Sequence, residues 1–245
     1  STFVSDSGLV SLKRQNFRKP KRGDLPNLNH YAKLINGKAQ SIIVGYTEGT
    51  RGCKHICRHC PVVPVYNGRF FVVQPDVVMG DIRQQVEAGA EHITFGDPDF
   101  FNGPGHALRL VDSLHEEFPN LTYDVTIKVE HLLAHREKLH LLAETGCLFV
   151  TTAVEEVDNE VLCKLEKNHT RSDFEEVVQT TNASGLTLSP TFIPFHPWTT
   201  PLGFIDLLSL LAELDLIENV APVQLAIRLL IPKGSRILEL AEIKN

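Results

Sequence analysis

The sequence predicts an α/β protein folded as an open, six-stranded parallel (βα)6 barrel. Three observations carry that expectation. Short apolar, β-branched runs alternate regularly with amphipathic helical stretches. Most of the strands are too apolar to be half exposed, as in parallel sheets whose faces are covered by helices. Six such units of roughly 30–35 residues suit a chain of 245 residues, whereas a closed eight-fold barrel typically takes about 250 or more after any leader.

Taken in order, residues 1–40 read as an N-terminal extension. Between Leu9 and Gly23 lie Lys13, Arg14, Arg18, Lys19, Lys21 and Arg22 with no acid among them. This is either a solvated, partly extended leader or a basic arm for nucleic acid or another anionic partner. Residues 41–45 (SIIVG) form the first strand. In 76–88, Val78, Ile82 and Val86 share one helical face, and Gly89 stops the helix. Strand 92–95 and helix 106–118 follow, the latter with Ala107, Leu110, Val111 and Leu114 inward. Residues 121–129 alternate as a strand, 131–144 are Leu-rich and helical, and 147–154 form a buried strand. Helices around 156–167 and 172–183, strand 186–193, helix 202–216 and strand 223–231 complete the pattern. Reactive groups in such folds gather at the carboxyl ends of the strands.

Composition narrows the function classes. Hydrophobic residues are 42% and charged residues 22%, the balance of a globular protein, and a net charge of −6 argues against a general polyanion binder. No apolar run is long enough to span a bilayer, so no membrane partner is expected. Five cysteines, three of them within eight residues, suit a metal site in a reducing cytoplasm better than a disulfide framework. Cys147 and Cys163 fall in apolar stretches and read as small core residues.

The clustered three are Cys53, Cys57 and Cys60, in GCKHICRHCP soon after the first strand. Thiolates bind soft iron or zinc, and this spacing lets three converge from one loop. Three cysteines on a cubane [4Fe–4S] cluster leave one iron without a protein ligand, unlike a four-cysteine electron-transfer site. A Cys3His zinc knot using His55 or His59 is the competing reading.

The C-x3-C-x2-C spacing after strand one resembles the signature of the radical S-adenosylmethionine (radical SAM) superfamily, over roughly residues 41–240. The resemblance implies a partial TIM barrel, a [4Fe–4S] cluster and S-adenosylmethionine held by its open iron. It also implies reductive carbon–sulfur cleavage to a 5′-deoxyadenosyl radical, a small-molecule substrate and an electron donor such as flavodoxin or ferredoxin. Gly96, Asp97 and Pro98 resemble the family's Gly-Gly-Glu-Pro motif, which holds the methionine amino group; a Gly/Asp/Pro turn is the plainer alternative. The usual aromatic before the third cysteine is replaced by His59, whose ring is expected beside the adenine.

Lys128 and Glu155 end otherwise apolar strands, where a charge needs a partner. The resemblance implies that Glu155 and Thr152 approach the ribose or methionine portion, while Lys128 is placed to meet a carboxylate. Arg228, in an apolar last strand, is expected to hold a cofactor or substrate carboxylate, or to form a buried salt bridge. Residues 192–198 (FIPFHPW) read as a substrate-facing loop or as hydrophobic capping of the barrel mouth.

GRFFVV, QQVEAGAEHITFGDPDF and NGPGHALRLV, with VEEVDNEVLCKLEKNHT, resemble the CUAEP/CCAEP-tail radical SAM subgroup. The subgroup's cysteine- or selenocysteine-bearing tail is expected beyond residues 241–245, which would begin a missing C-terminal region. A related resemblance, to the arsinothricin-pathway radical SAM enzyme, implies 3-amino-3-carboxypropyl transfer to trivalent arsenic. The non-enzymatic alternative is an iron–sulfur or zinc protein binding nucleic acid through its basic arm. Strand-end charges argue against it, and nucleic acid is not an expected partner.

Overall fold

A computed structural model of the chain describes residues 15–35 and 40–243. Strand β1 (Lys33–Ile35) lies antiparallel on β2 (Ser41–Thr47) and forms one edge of the sheet. Two short strands, β3 (Thr50–Gly52) and β4 (Phe70–Val72), then pair antiparallel around the cysteine segment and a single-turn helix, α1 (Val63–Tyr66). The repeating units follow as α2 (Pro75–Glu87), β5 (His92–Phe95), α3 (Pro104–Glu117), β6 (Thr122–Thr126), α4 (Val129–Ala134), α5 (Leu139–Glu144) and β7 (Cys147–Glu155). They continue with α6 (Asn159–Leu165), α7 (Arg171–Ala183), β8 (Thr187–Phe192) and α8 (Pro201–Glu213). The main sheet has six strands in the order β1-β2-β5-β6-β7-β8, parallel from β2 onward, and curls into a half barrel.

Local signals explain where the helices begin. Pro75, Pro104 and Pro201 open α2, α3 and α8, where a missing N–H costs nothing. Thr170 and Asp173 form a capping box on α7, and Asp158 caps α6.

Strand alternation gives the sheet two unlike faces. Ile93, Phe95, Tyr123, Val125, Val150 and Val154 join the main core with helix residues such as Leu110, Leu114 and Phe174. The Tyr123 hydroxyl confirms the direction, bonding to Leu142 O at 3.2 Å and Thr145 Oγ1 at 2.7 Å at the end of α5. Phe174 meets Phe192 edge-on at 6.1 Å, and removing such a ring costs about 3–5 kcal/mol. The opposite, lumenal face is polar: Thr94 Oγ1 donates to Asp124 Oδ1 at 2.6 Å, with His92 Nε2 2.9 Å from the same oxygen.

The fold class is the expected one, but its sixth strand is a different segment. Residues 223–231 do not form a strand. Pro222–Ala226 is a 3-10 turn, and only Arg228 makes an isolated parallel bridge, to Phe195. The cause lies on the edge of β8, where the Asn219 side chain already donates to Leu188 O at 2.8 Å and Ser189 Oγ to Asn219 O at 3.4 Å. The sixth place is taken by antiparallel β1, from the segment expected to be extension. The helix expected over 131–144 is likewise two helices, broken at His135, with a 3-10 turn (Arg136–Lys138) between them.

The described part of the basic segment packs on the domain. Arg22 grips Asp81 at 2.6 Å, Lys21 pairs with Asp24 and Gln74 bonds Phe17 N; Lys13 and Arg14 lie outside the described residues. Cys147 is buried as expected, whereas Cys163 is exposed on α6. Among the described residues no helix is long and apolar enough to cross a membrane.

Candidate active site at the carboxyl ends of the strands

The cysteine loop leaves β3 through Gly52, whose φ of +83° belongs to the left-handed region. A Cβ there would meet Arg69 O and the Tyr66 ring at 2.5 Å, so only glycine fits the exit. Cys53 and Cys57 are buried, Cys60 is partly so, and all three are free thiols. Asn102 holds the near end of the loop, donating to Gly52 O at 3.0 Å and accepting from Lys54 N at 3.1 Å. The far end is clamped by the C-terminal segment. Ser235 Oγ and Ile237 N both donate to Arg58 O, while Arg58 and Arg236 share the Glu166 carboxylate at 2.8 and 2.6 Å.

Burial pushes the Cys53 thiol up to about 11 and raises Cys60 as well, with Cys57 beside both adding to the shift. Three thiolates gathered in one loop need a cation among them, which is the condition an iron cluster meets. All-sulfur donors in one pinned loop therefore fit a [4Fe–4S] group. His59 Nε2 lies 3.0 Å from Glu155 Oε1, and its buried Nδ1 has no hydrogen-bond partner among the described residues.

Glu155 ends β7 with φ +74°, a strained value for a residue with a side chain. Its Oε1 accepts from Lys167 Nζ at 3.3 Å and lies 3.0 Å from His59 Nε2. Burial alone would raise this carboxyl, but Lys167 and His59 outweigh it and hold it down at about 2. Lys167 is delivered by the turn after α6, where Glu166 and Asn168 take positive φ values of 53° and 58°. His169 follows, buried, with the Lys167 backbone beside its ring; neither ring nitrogen makes a hydrogen bond of full geometry among the described residues. Burial and the adjacent Lys167 lower its pKa to about 4. Lys128 is also buried, its Nζ 3.3 Å from Glu130. It caps α4 instead of ending β6. Buried cations beside unsatisfied nitrogens suit a polar, anionic ligand such as an amino-acid carboxylate.

Other expected residues are placed differently. Both Asp97 oxygens are consumed by the turn after β2: Oδ1 accepts from Thr50 N at 2.5 Å and Thr50 Oγ1 at 2.6 Å, and Oδ2 from Gly49 N at 2.8 Å. Burial nevertheless pushes its pKa up to about 6. Gly96 donates its N–H to Thr47 O, and a Cβ on it would collide with the Tyr46 ring. Pro98 follows, half-buried. Thr152 lies on the face of Val150 and Val154, toward the helices, so strand alternation turns it away from the lumen. Arg228 is exposed at the rim and forms no ion pair among the described residues, since its expected buried strand is absent. The 192–198 segment acts largely as a cap: Trp198 packs on Val161, Leu165 and Ile237, and His196 Nε2 lies 2.7 Å from Glu156.

Sequence reasoning missed Lys167 and His169. The signal was present in LEKNHT, a basic and imidazole pair just after a helix end, but the turn's positive φ values were not legible.

Comparison with known proteins agrees with this fold. The chain is 24% identical over 151 residues to the hopanoid C-3 methylase of Methylococcus capsulatus, covering 62% of this chain and 29% of the methylase. It superposes on the radical S-adenosylmethionine methyltransferase TsrM from Kitasatospora setae, determined with cobalamin and a [4Fe–4S] cluster bound. There the TM-score is 0.62 at 20% identity, over 71% of this chain and 33% of that one. Methylornithine synthase (PylB) matches with a TM-score of 0.54 at 17% identity, over 80% and 56% of the two chains. The chain spans about a third of the length of the methylase and of TsrM, and the structural likenesses speak to the fold alone. The radical SAM superfamily profile matches residues 47–211, from the last residue of β2 through the cysteine loop and on into α8. With that match covering well over half of its residues, the chain belongs to the radical SAM superfamily.

Proposed function

We propose that this chain is the core of an enzyme that cleaves S-adenosylmethionine reductively and acts on a small molecule. The observation that carries the proposal is the three-cysteine loop pinned beside the buried Lys167–Glu155–His59 and Lys128 groups at the strand ends. Cys53, Cys57 and Cys60 would hold a [4Fe–4S] cluster, which supplies the electron that breaks a carbon–sulfur bond and releases a 5′-deoxyadenosyl radical. Lys167 and Lys128 would meet the cofactor carboxylate. Glu155, kept ionised and oriented by His59, would accept from the ammonium or a ribose hydroxyl. Asp97 acts indirectly: its carboxylate fixes the turn between β2 and β3, and the backbone of Gly96 and Pro98 is left to face the methionine amino group. Thr152 and Arg228 have no part in cofactor contact in this reading.

The relatives' names favour methyl transfer as a second reading. Carboxypropyl transfer to trivalent arsenic is a third, resting on the subgroup resemblance. Anaerobic reconstitution, reduction with S-adenosylmethionine and product analysis distinguish them. 5′-Deoxyadenosine with methionine supports the main reading, S-adenosylhomocysteine adds methyl transfer, and 5′-methylthioadenosine marks carboxypropyl transfer. Absence of all three from a fully loaded protein contradicts the proposal.

A further inference from the structure

Between Cys53 and Cys57 the loop carries His55, which reaches a second cluster of buried polar groups. Asp99, after β5, spends one oxygen on the cap of the next turn: Oδ1 accepts from Phe101 N at 3.2 Å. Its Oδ2 lies 2.6 Å from His131 Nδ1 on α4 and 3.8 Å from His55 Nε2. The His55 and His131 Nε2 atoms are 3.2 Å apart. One ligand atom from each of the three residues falls within 4.8 Å of the others.

The 2.6 Å contact is close without being a hydrogen bond. Among the described residues neither Asp99 Oδ2 nor His131 Nδ1 has a hydrogen-bond partner. Asp99 is fully buried and His131 is 4% exposed. A buried carboxylate oxygen facing an imidazole nitrogen with no proton aligned between them is costly. A cation reached by both removes the cost. Two imidazoles and one carboxylate form a borderline donor set that suits a divalent transition ion, in contrast to the thiolates nearby. The outer nitrogen of His55 faces Glu130 Oε2 at 3.6 Å, the side on which metal-bound histidines commonly carry a carboxylate partner.

We propose that His55, Asp99 and His131 form a second metal site, for zinc(II) or a similar divalent transition ion. It would clasp the cysteine loop to the end of β5 and to α4. The inference does not depend on which cofactor bond the enzyme breaks.

The test uses the full chain with its iron–sulfur cluster reconstituted anaerobically, then exposed to zinc(II) and desalted. About one zinc per chain is expected, with only nitrogen and oxygen neighbours near 2.0–2.1 Å at the zinc K-edge. H131A and D99N should reduce zinc retention at least ten-fold while iron content stays unchanged. H55Q, which spares the buried Asp99–His131 pair, should weaken zinc binding to a similar degree and decides the matter if the other variants lose iron. The proposal is overturned if no zinc is retained. It is equally overturned if the zinc neighbours are sulfur near 2.3 Å, or if iron-replete variants hold zinc as the parent does.

Discussion

Lys167→Met removes the cation that faces the most strongly perturbed carboxylate in the site. Glu155 is held at about 2 against an ordinary value of 4.5, with burial opposing and Lys167 and His59 overcoming it. That difference corresponds to about 3 kcal/mol of stability at neutral pH. Because the folded value is the lower one, this stability is present above pH 4.5 and is lost as pH falls through 2. Without Lys167 the balance reverses, since a buried carboxylate stripped of its partner costs about 3–5 kcal/mol. For a chain of this size the melting temperature should fall by about 6–20 °C at pH 7.5. The deficit should shrink toward pH 5 as Glu155 takes up a proton, and the double change K167M/E155Q should recover most of it. Thermal melts of the apoprotein at both pH values, with the double variant, provide the assay. A K167M melt coincident with the parent at pH 7.5, or a deficit independent of pH and untouched by E155Q, refutes the reasoning.

Three further outcomes follow from the same geometry. D97A strands two backbone N–H groups and the Thr50 hydroxyl, so urea unfolding should show a loss of about 3 kcal/mol, with lower iron uptake after reconstitution. His169 is neutral when folded down to about pH 4 but protonates near 6.5 when unfolded, so stability should drop as pH falls between those values. The full drop is about 3 kcal/mol, and H169N should flatten it in urea titrations at pH 7.5, 6.0 and 5.0; an unchanged slope would count against the assignment. G52A forces a side chain into a left-handed residue against Arg69 O, and reconstituted G52A should hold well under half of the parent's iron.

Much of the architecture was legible because it is written in periodicity. The five parallel strands and the long helices α2, α3, α7 and α8 fall close to where alternation and capping residues place them. The last strand was misread because hydrophobicity alone cannot show that Asn219 already occupies the β8 edge. The antiparallel β1 is only three residues long, too short to leave a pattern. In the site, the cysteine spacing located the loop and strand-end charges located Glu155. That both Asp97 oxygens are spent on Gly49 and Thr50 could not be read from the sequence, because those partners lie 48 and 47 residues away in the chain. Thr152 shares the face of Val150 and Val154, a placement that turns on a single step of the two-residue period. Lys167 and His169 share one turn and meet Glu155 only in the folded chain, which likewise brings His55, Asp99 and His131 together from separate segments.

The central claim is that three cysteines hold a cluster whose fourth iron is open to the cofactor. Electron paramagnetic resonance of the reduced, reconstituted protein with and without S-adenosylmethionine tests it most directly. The account predicts a [4Fe–4S] signal whose g values shift on adding the cofactor, and its loss in C57A. A signal indifferent to S-adenosylmethionine, or one that survives C57A intact, would contradict it.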